Sequence, residues 1–195
     1  MTSITAQAAI VFNNGGPSTH NGLAIFGVPG SNNGVTADDF MLANSENLQG
    51  VGFYFNNYSG IVGWPGNVSY AIRADNSGSP GAILASGAGL NVAPAGGGYP
   101  WCCGGSTTEL ITFDFQSAFA ALGGQTYWLE LGGAGGPSPW WVTASASGNA
   151  HHYGSRTIYE MAYYLNASNQ VPEPGSLALL GLALAGLAAT RRRKA

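Results

Sequence analysis

Short segments in which apolar and polar residues alternate, separated by clusters of Gly, Asn, Ser and Pro, occupy most of the chain. In one of them Val51, Phe53 and Phe55 alternate with Gly52 and Tyr54. The same alternation recurs at residues 68–74, 111–115 and 127–131. Because successive side chains of a β-strand point to opposite faces, each segment is expected to bury one face. Many short strands with turn residues between them predict an antiparallel β-sandwich or barrel.

Strand-like segments are spread over residues 9–168, which are expected to form one all-β domain. The candidates are Ala9–Phe12, Leu23–Val28, Phe40–Ala43, Leu48–Phe55, Val68–Ala74, Ile83–Ser86, Glu109–Phe115, Tyr127–Leu131, Trp140–Ala146 and Thr157–Leu165. Residues Ser117–Leu122 are expected to form a single helical turn. A domain of roughly 160 residues is long enough to close a hydrophobic core.

Charged residues are scarce and unevenly placed along the chain. They make up 8% of it, against about 25% in a typical soluble domain. Arg73 and Arg156 are the basic residues before residue 191, which excludes a nucleic-acid-binding surface of clustered cations. The chain up to residue 190 has nine carboxylates and therefore a formal charge of −7. An acidic body followed by a basic tail indicates two parts with different functions.

An apolar segment and a cluster of cations follow one another near the C-terminus. Residues 175–190 contain no charged side chain, and the basic tail after them consists of Arg191, Arg192, Arg193 and Lys194. A helix of this length extends about 24 Å and can cross a hydrocarbon core of about 30 Å when flanking groups snorkel or the bilayer thins. The cations would hold the C-terminus on the cytoplasmic side and the body outside. The alternative is an amphipathic or core helix, but the segment is apolar on every side.

A short motif, Pro172, Glu173 and Pro174, stands directly before the apolar segment. The order Pro-Glu-Pro, apolar helix and basic cluster over residues 171–195 resembles the PEP-CTERM protein-sorting signal of Gram-negative bacteria, also called the ice-binding protein C-terminal domain. The resemblance implies export and a transient anchor in the inner membrane, with the body in the periplasm. It also implies recognition by an exosortase, a membrane-embedded processing enzyme, and a final place at the cell surface or in the extracellular polysaccharide of a biofilm.

The N-terminal segment carries a partial export signal. Ala6-Gln7-Ala8 matches the A-x-A cleavage pattern, but the preceding residues lack a basic region and an apolar stretch. We expect residues 1–8 to be the remnant of a signal peptide whose first part is encoded upstream. The alternative is an Ala-rich start by chance, which the upstream reading frame would decide.

Residues 70–87 have the sequence YAIRADNSGSPGAILASG. This segment resembles the YxIxxDxxGxPGxxLxSG hairpin of β-sandwich domains in secreted, surface-anchored bacterial proteins. Thr126–Leu131 is similar to the TYWLxL strand of those domains, and Ala37–Phe40 to their ADDF element. The resemblance covers residues 35–145 and implies a jelly-roll-like β-sandwich, with no established activity.

Enzyme motifs are missing from the sequence. There is no HExxH zinc pattern, no GxSxG nucleophile elbow, no P-loop and no dinucleotide fingerprint. Glu109, Asp114 and Glu130 lie on predicted strands, but their spacing does not single out the pair of facing carboxylates that a glycosidase needs. A non-enzymatic function is therefore expected.

Acidic residues suggest one structural metal site. Asp38, Asp39 and Asp75, together with Asp114, could supply oxygen ligands to Ca²⁺, which takes about 6–8 of them. The alternative is turn hydrogen bonding for Asp75 and a solvated surface position for the others. No other cofactor is expected.

Cys102 and Cys103 are neighbours in the chain. Export would place them in an oxidising compartment. A bridge between them would be strained, because adjacent Cα atoms are about 3.8 Å apart whereas disulfides prefer about 5.5–6 Å. A strained vicinal disulfide, two free thiols and intermolecular bridges all stay open; a zinc site is disfavoured for want of further Cys or His ligands nearby.

Aromatic residues in or beside Gly/Pro loops are the candidate ligand-binding residues. They are Tyr99, Trp101, Trp140, Trp141, His151 and His152. Exposed rings can stack on sugars while neighbouring amides donate hydrogen bonds. The alternative is that the Trp residues close the core. Because adjacent strand residues point to opposite faces, at most one of Trp140 and Trp141 can face it.

Three functions follow from these features. The first is an exported, exosortase-sorted protein of the envelope or extracellular matrix, structural or adhesive and non-enzymatic. The second is a carbohydrate-binding module that uses the loop aromatics. The third is a hydrolase of extracellular polysaccharide. The acidic body makes charge-driven binding of anionic polymers unfavourable, so any glycan contact is expected to use rings and amides.

Overall fold

The computed structural model describes residues 9–31, 33–56, 64–101, 107–135 and 139–168. These residues form an all-β fold, as predicted. Its strands are β1 (Ala9–Asn13), β2 (Pro17–Ala24), β3 (Thr36–Met41), β4 (Glu46–Asn56), β5 (Ser69–Asp75), β6 (Pro80–Ala88), β7 (Leu90–Pro100), β8 (Thr107–Ala121), β9 (Thr126–Gly132), β10 (Trp140–Ser147), β11 (His151–His152), β12 (Ser155–Arg156), β13 (Tyr159–Met161) and β14 (Tyr163–Ala167).

Strand β4 organises the larger sheet, which has eight strands. One edge of β4 pairs with β8, and β8 pairs in turn with β7. The other edge pairs first with β14, where Val51 lies opposite Leu165, and then with β10, where Phe55 lies opposite Trp141. Beyond these, β1 pairs with β14, and both β2 and β13 pair with β10. Every pairing in this sheet is antiparallel.

The smaller sheet has six strands in the order β12-β11-β3-β9-β5-β6. Its register places Asp39 of β3, Trp128 of β9 and Arg73 of β5 in one row across three strands. Neighbouring rows, one residue along, point to the opposite face. The segment 70–87, which the sequence predicts to be strand–turn–strand, forms β5 and β6.

The two sheets pack face to face around an apolar core. Val51, Phe53 and Phe55 are at most 1% exposed, as their alternation predicts. Aromatic rings join the sheets, and the ring centroids of Tyr70 from β5 and Phe115 from β8 are 4.5 Å apart. The prediction of an antiparallel two-sheet fold is confirmed.

Residues Ser117–Leu122 do not form the predicted helical turn. Residues up to Ala121 continue β8, and Phe119 pairs with Leu48 of β4. The Phe119 ring also packs edge-on against Tyr127, with centroids 5.4 Å apart. The long edge of β4 extends β8, so tertiary pairing overrides the local preference.

Strand β7 was not predicted, because its Gly and Pro residues obscure any alternation. Among the described strands it pairs with β8, and its register shifts at several points. Pro94 and Pro100 are tolerated because an edge strand does not need every N–H for the ladder. Tyr99 therefore lies in a strand and not in a loop.

Several predictions concern residues outside the described ranges. These are the signal-peptide remnant at 1–8, the pair Cys102 and Cys103, and the sorting segment at 171–195 with its helix at 175–190. Within the described ranges, no helix is long and apolar enough to span a bilayer.

Candidate functional site

The two adjacent tryptophans of β10 point in opposite directions. Trp141 is fully buried, its ring packs edge-on against Phe53 and Tyr163, and its Nε1 donates to the carbonyl oxygen of Ala162 at 3.0 Å. Trp140 is half-buried. The prediction that at most one of the pair faces the core is confirmed. Trp141 has no free ring face for a ligand, so the exposed ring expected for it is wrong.

The aromatic residues of the β7 region occupy different environments. Trp101 is only 9% exposed, so little of its ring could meet a ligand. Tyr99 is half-buried on the eight-stranded sheet, with its ring edge-on to Tyr54 at a centroid distance of 5.2 Å. Of the candidate residues in this region, Tyr99 is the better placed for a surface contact.

A cluster of half-buried tyrosines, here called the tyrosine patch, lies on the outer face of the eight-stranded sheet. It consists of Tyr54 on β4, Tyr99 on β7 and Tyr164 on β14. Burial and the hydrogen bond with Tyr99 raise the pKa of Tyr54 to about 12, and burial also raises the pKa of Tyr164. Both hydroxyls therefore stay protonated at neutral pH, and one hydroxyl of the pair Tyr54 and Tyr99 is used in the hydrogen bond between them.

Gly52 allows the tyrosine patch to form. It lies opposite Tyr164 in the register of β4 and β14. A Cβ at Gly52 would collide with the Tyr164 ring, so any other residue would push the ring away. The alternation in the sequence already places Gly52 and Tyr54 on the face of β4 opposite to Phe53. That Tyr99 and Tyr164 come close to Tyr54 depends on how the strands pair.

The two histidines of β11 point to opposite faces of the six-stranded sheet, because His151 lies opposite Ala37 and His152 lies opposite Thr36. His151 is 8% exposed and meets the Trp128 ring edge-on at 5.1 Å. The Nδ1 of His152 is 3.0 Å from the Oγ1 of Thr36. The ring centroids of His152 and Tyr153 are 4.0 Å apart. Burial lowers the pKa of both histidines, which favours the neutral form of each ring.

A cavity of about 330 Å³ lies beside His151 and is lined in part by Arg73 and Glu130. The Nη1 of Arg73 donates to the Oε2 of Glu130 at 2.7 Å, and its Nε donates to the carbonyl oxygen of Gly81 at 2.8 Å. Glu130 is 3% exposed and also accepts from the N–H of Gly30. Both charges are thus engaged in structural contacts.

The three carboxylates considered for hydrolysis do not form a site together. Glu130 lies on β9 of the smaller sheet, whereas Glu109 and Asp114 lie on β8 of the larger one. Glu109 accepts from the hydroxyl of Thr107, and Asp114 accepts from the amide of Asn91. Glu109 and Asp114 also differ in strand parity, so their side chains leave opposite faces of β8.

A group of three carboxylates, here called the acidic cluster, lies where β3 of one sheet approaches β13 of the other. One oxygen from each of Asp38, Asp39 and Glu160 lies within 4.8 Å of the others. Asp75 does not join them, because β9 separates its strand from β3. It accepts instead from the Nε1 of Trp128 at 2.8 Å. Of the three residues predicted to bind Ca²⁺, Asp38 and Asp39 therefore lie together, and Glu160 is near them where Asp75 was expected.

Asp38 is the buried member of the acidic cluster, with no exposed surface. Its Oδ2 accepts from the N–H of Met161 at 2.7 Å and from the Nδ2 of Asn14 at 2.9 Å. Burial and the nearby charge of Glu160 raise the pKa of Asp38 well above its usual range. Burial likewise raises the pKa of Glu160, whose Oε1 accepts from Asn14 at 2.8 Å.

Comparison with known proteins bears on the C-terminal segment. The structure defines an all-β, two-sheet body of acidic charge; residues 170–194, beyond it, match the model of the PEP-CTERM protein-sorting motif. The predicted sorting signal is thereby confirmed, and it implies export, membrane-associated sorting and processing by an exosortase. Comparison of the chain with curated proteins and with solved structures gives no match.

Proposed function

We propose that this chain is an exosortase substrate that carries a non-enzymatic β-sandwich to the envelope or extracellular matrix, where its role is structural or adhesive. The observation that supports this most is the PEP-CTERM motif at residues 170–194 behind an all-β body. The apolar segment at 175–190 would anchor the chain in the inner membrane, and the cations after it would keep its end in the cytoplasm. Processing would then release the body from this anchor.

Changing the sorting motif should block that release. In a bacterium that contains an exosortase, we expect the full chain to lose its C-terminal segment and to leave the inner membrane. The variant Pro172→Ala/Glu173→Ala/Pro174→Ala should stay in the membrane at full length, because the enzyme no longer recognises it. Immunoblots of membrane, surface and medium fractions, with tags on both ends of the chain, measure this.

The control for the sorting experiment is Ser168→Ala, which changes a residue just outside the motif. It should be processed like the unmodified chain. Deletion of the exosortase gene should make the unmodified chain behave like the triple variant. Processing that is equal in all chains, or that continues without the exosortase, would contradict the proposal.

A second candidate function, glycan binding, is favoured by the tyrosine patch. The three rings and their hydroxyl groups combine apolar faces with hydrogen-bonding groups, as sugar recognition requires. The chain up to residue 190 carries a formal charge of −7, so the ligand we propose is a neutral polysaccharide. The aromatic residues named from sequence contribute Tyr99 to this surface, and the pairing of β4 with β14 adds Tyr54 and Tyr164.

Removing one ring of the tyrosine patch should weaken glycan binding. We expect Tyr54→Ala or Tyr99→Ala to reduce affinity about 3–10-fold, because an aromatic contact contributes about 0.5–1.5 kcal/mol. Tyr153→Ala is the matched control, since Tyr153 is 44% exposed but lies beside β11 of the other sheet. Affinity electrophoresis in neutral polysaccharides measures the effect. Equal losses in all three variants, or no binding by the unmodified chain, would exclude this function.

A further inference from the structure

We infer that Asp38, Asp39 and Glu160 form a binding site for one divalent cation, best suited to Ca²⁺, that connects the two sheets. This inference is independent of the sorting function. One oxygen of each carboxylate lies within 4.8 Å of the others. Ca²⁺ binds oxygen at about 2.3–2.6 Å, so ligands on opposite sides of one ion are separated by about 5 Å. The three oxygens are therefore spaced closely enough to share an ion.

One carboxylate oxygen of the acidic cluster is buried without a hydrogen-bond partner among the described residues. Asp38 has no exposed surface, and its Oδ2 is satisfied by Met161 and Asn14. Its Oδ1 is buried, and no donor in the described part of the chain forms a hydrogen bond with it. A buried charged oxygen without a partner is strongly unfavourable, so this atom needs either a cation or a proton.

No side-chain cation compensates the acidic cluster within the described residues. Arg73 and Arg156 are the cationic side chains there, and Arg73 pairs with Glu130. Neither arginine forms an ion pair with the cluster among the described residues. Three carboxylates would thus lie close together, with the Asn14 amide as a neutral donor to Asp38 and Glu160. Mutual repulsion at neutral pH would be relieved by one bound divalent ion.

The ligand chemistry favours Ca²⁺ over other divalent ions. All three side chains offer oxygen, whereas Zn²⁺ sites use mainly Cys and His. Asp39 and Glu160 are half-buried, so water can complete the coordination shell. Ca²⁺ accepts irregular sets of about 6–8 oxygens, whereas Mg²⁺ demands a near-ideal octahedron at about 2.0–2.1 Å. We therefore expect Ca²⁺ to bind more tightly than Mg²⁺.

Position in the fold gives the site a role. Asp38 and Asp39 belong to β3 of the smaller sheet, and Glu160 belongs to β13 of the larger one. An ion held between them would tie together two strands that share no backbone ladder within the described ranges. Because the folded state alone assembles the three ligands, Ca²⁺ should stabilise it against unfolding.

Thermal unfolding of the full chain tests the site. The chain is first freed of metal with EDTA and is then measured in mild detergent at pH 7.5. We expect the melting temperature to rise by about 5 °C or more when Ca²⁺ exceeds its Kd about 100-fold, and less with Mg²⁺. Asp39→Asn and Glu160→Gln should each abolish most of that rise, because each removes one charged ligand. Asp114→Asn, which removes an exposed carboxylate from β8, is the control and should keep the rise.

A direct measurement of metal binding distinguishes the loss of the site from a general loss of stability in a variant. Tb³⁺ binds Ca²⁺ sites, and its luminescence should be sensitised by neighbouring aromatic rings, since the hydroxyl of Tyr163 donates to the backbone carbonyl of Asp39. We expect Ca²⁺ to displace the Tb³⁺ signal, and Glu160→Gln to weaken binding at least 10-fold.

Two outcomes would overturn the inference. The first is a melting temperature that Ca²⁺ leaves unchanged and that is higher at pH 5 than at pH 7.5, which would mean that a shared proton satisfies Asp38. The second is a Ca²⁺ effect that persists in both Asp39→Asn and Glu160→Gln, which would mean that the ion binds elsewhere.

Discussion

Replacing Trp141 with alanine is expected to lower the free energy of unfolding by about 3–5 kcal/mol, the range measured when a buried Trp or Phe is truncated. Trp141 has no exposed surface, and its ring packs edge-on between Phe53 and Tyr163. The deletion would leave a cavity in the hydrophobic core beside Phe53 and Tyr163. It would also remove the hydrogen bond to the carbonyl oxygen of Ala162.

The neighbouring residue provides a matched control for this experiment. Trp140 has the same side chain and the same strand but is half-buried on the opposite face. Trp140→Ala should therefore cost only about 1–2 kcal/mol. Urea unfolding of the full chain, followed by circular dichroism, compares the two variants. Equal losses would contradict the assignment of Trp141 to the core.

Replacing Glu130 with alanine is expected to lower the free energy of unfolding by about 2–4 kcal/mol, because it leaves a mostly buried cation without its partner. The carboxylate is 3% exposed and lies 2.7 Å from the Nη1 of Arg73, which is itself only 17% exposed. The substitution would also take away the acceptor for the N–H of Gly30. The cost is that of an uncompensated charge, and not of the ion pair itself.

A double variant separates the cost of the unpaired charge from the contribution of the ion pair. Arg73→Met/Glu130→Leu removes both charges and keeps apolar volume, so it should recover much of the stability that Glu130→Ala loses. Glu109→Ala is the control, since Glu109 is half-buried and forms no ion pair among the described residues. It should cost about 1 kcal/mol or less. If the double variant is as unstable as Glu130→Ala, the loss arises from packing and not from the unpaired charge.

Strand prediction from the sequence succeeded where apolar and polar residues alternate clearly. The segments around Phe53, Ile72 and Leu129 alternate cleanly, and the structure buries all three side chains. It failed at β7, where Gly and Pro hide the alternation, and at Ser117–Ala121, where the edge of β4 extends β8. In both places the strand exists because a neighbouring strand offers it hydrogen-bond partners, which a local pattern does not reveal.

The candidate sites were less accessible to sequence reasoning than the strands. Asp38 and Asp39 were named as metal ligands, but Glu160 lies more than a hundred residues further along the chain. Tyr99 was named as a ligand-binding residue, whereas Tyr164 reaches the same face through the pairing of β14 with β4. Strand register brings these residues together, and no short motif signals it.

The sequence by itself determined the sorting motif, the acidic character of the body and the relative parity of neighbouring side chains. The motif could be identified because it is a continuous segment, and the alternation because it arises from the geometry of a single strand. The tertiary structure alone decided that Trp141 and not Trp140 enters the core, and that Glu160 and not Asp75 joins Asp38. Alternation states which residues share a face, but the side that is buried depends on how strands pair and how the two sheets pack.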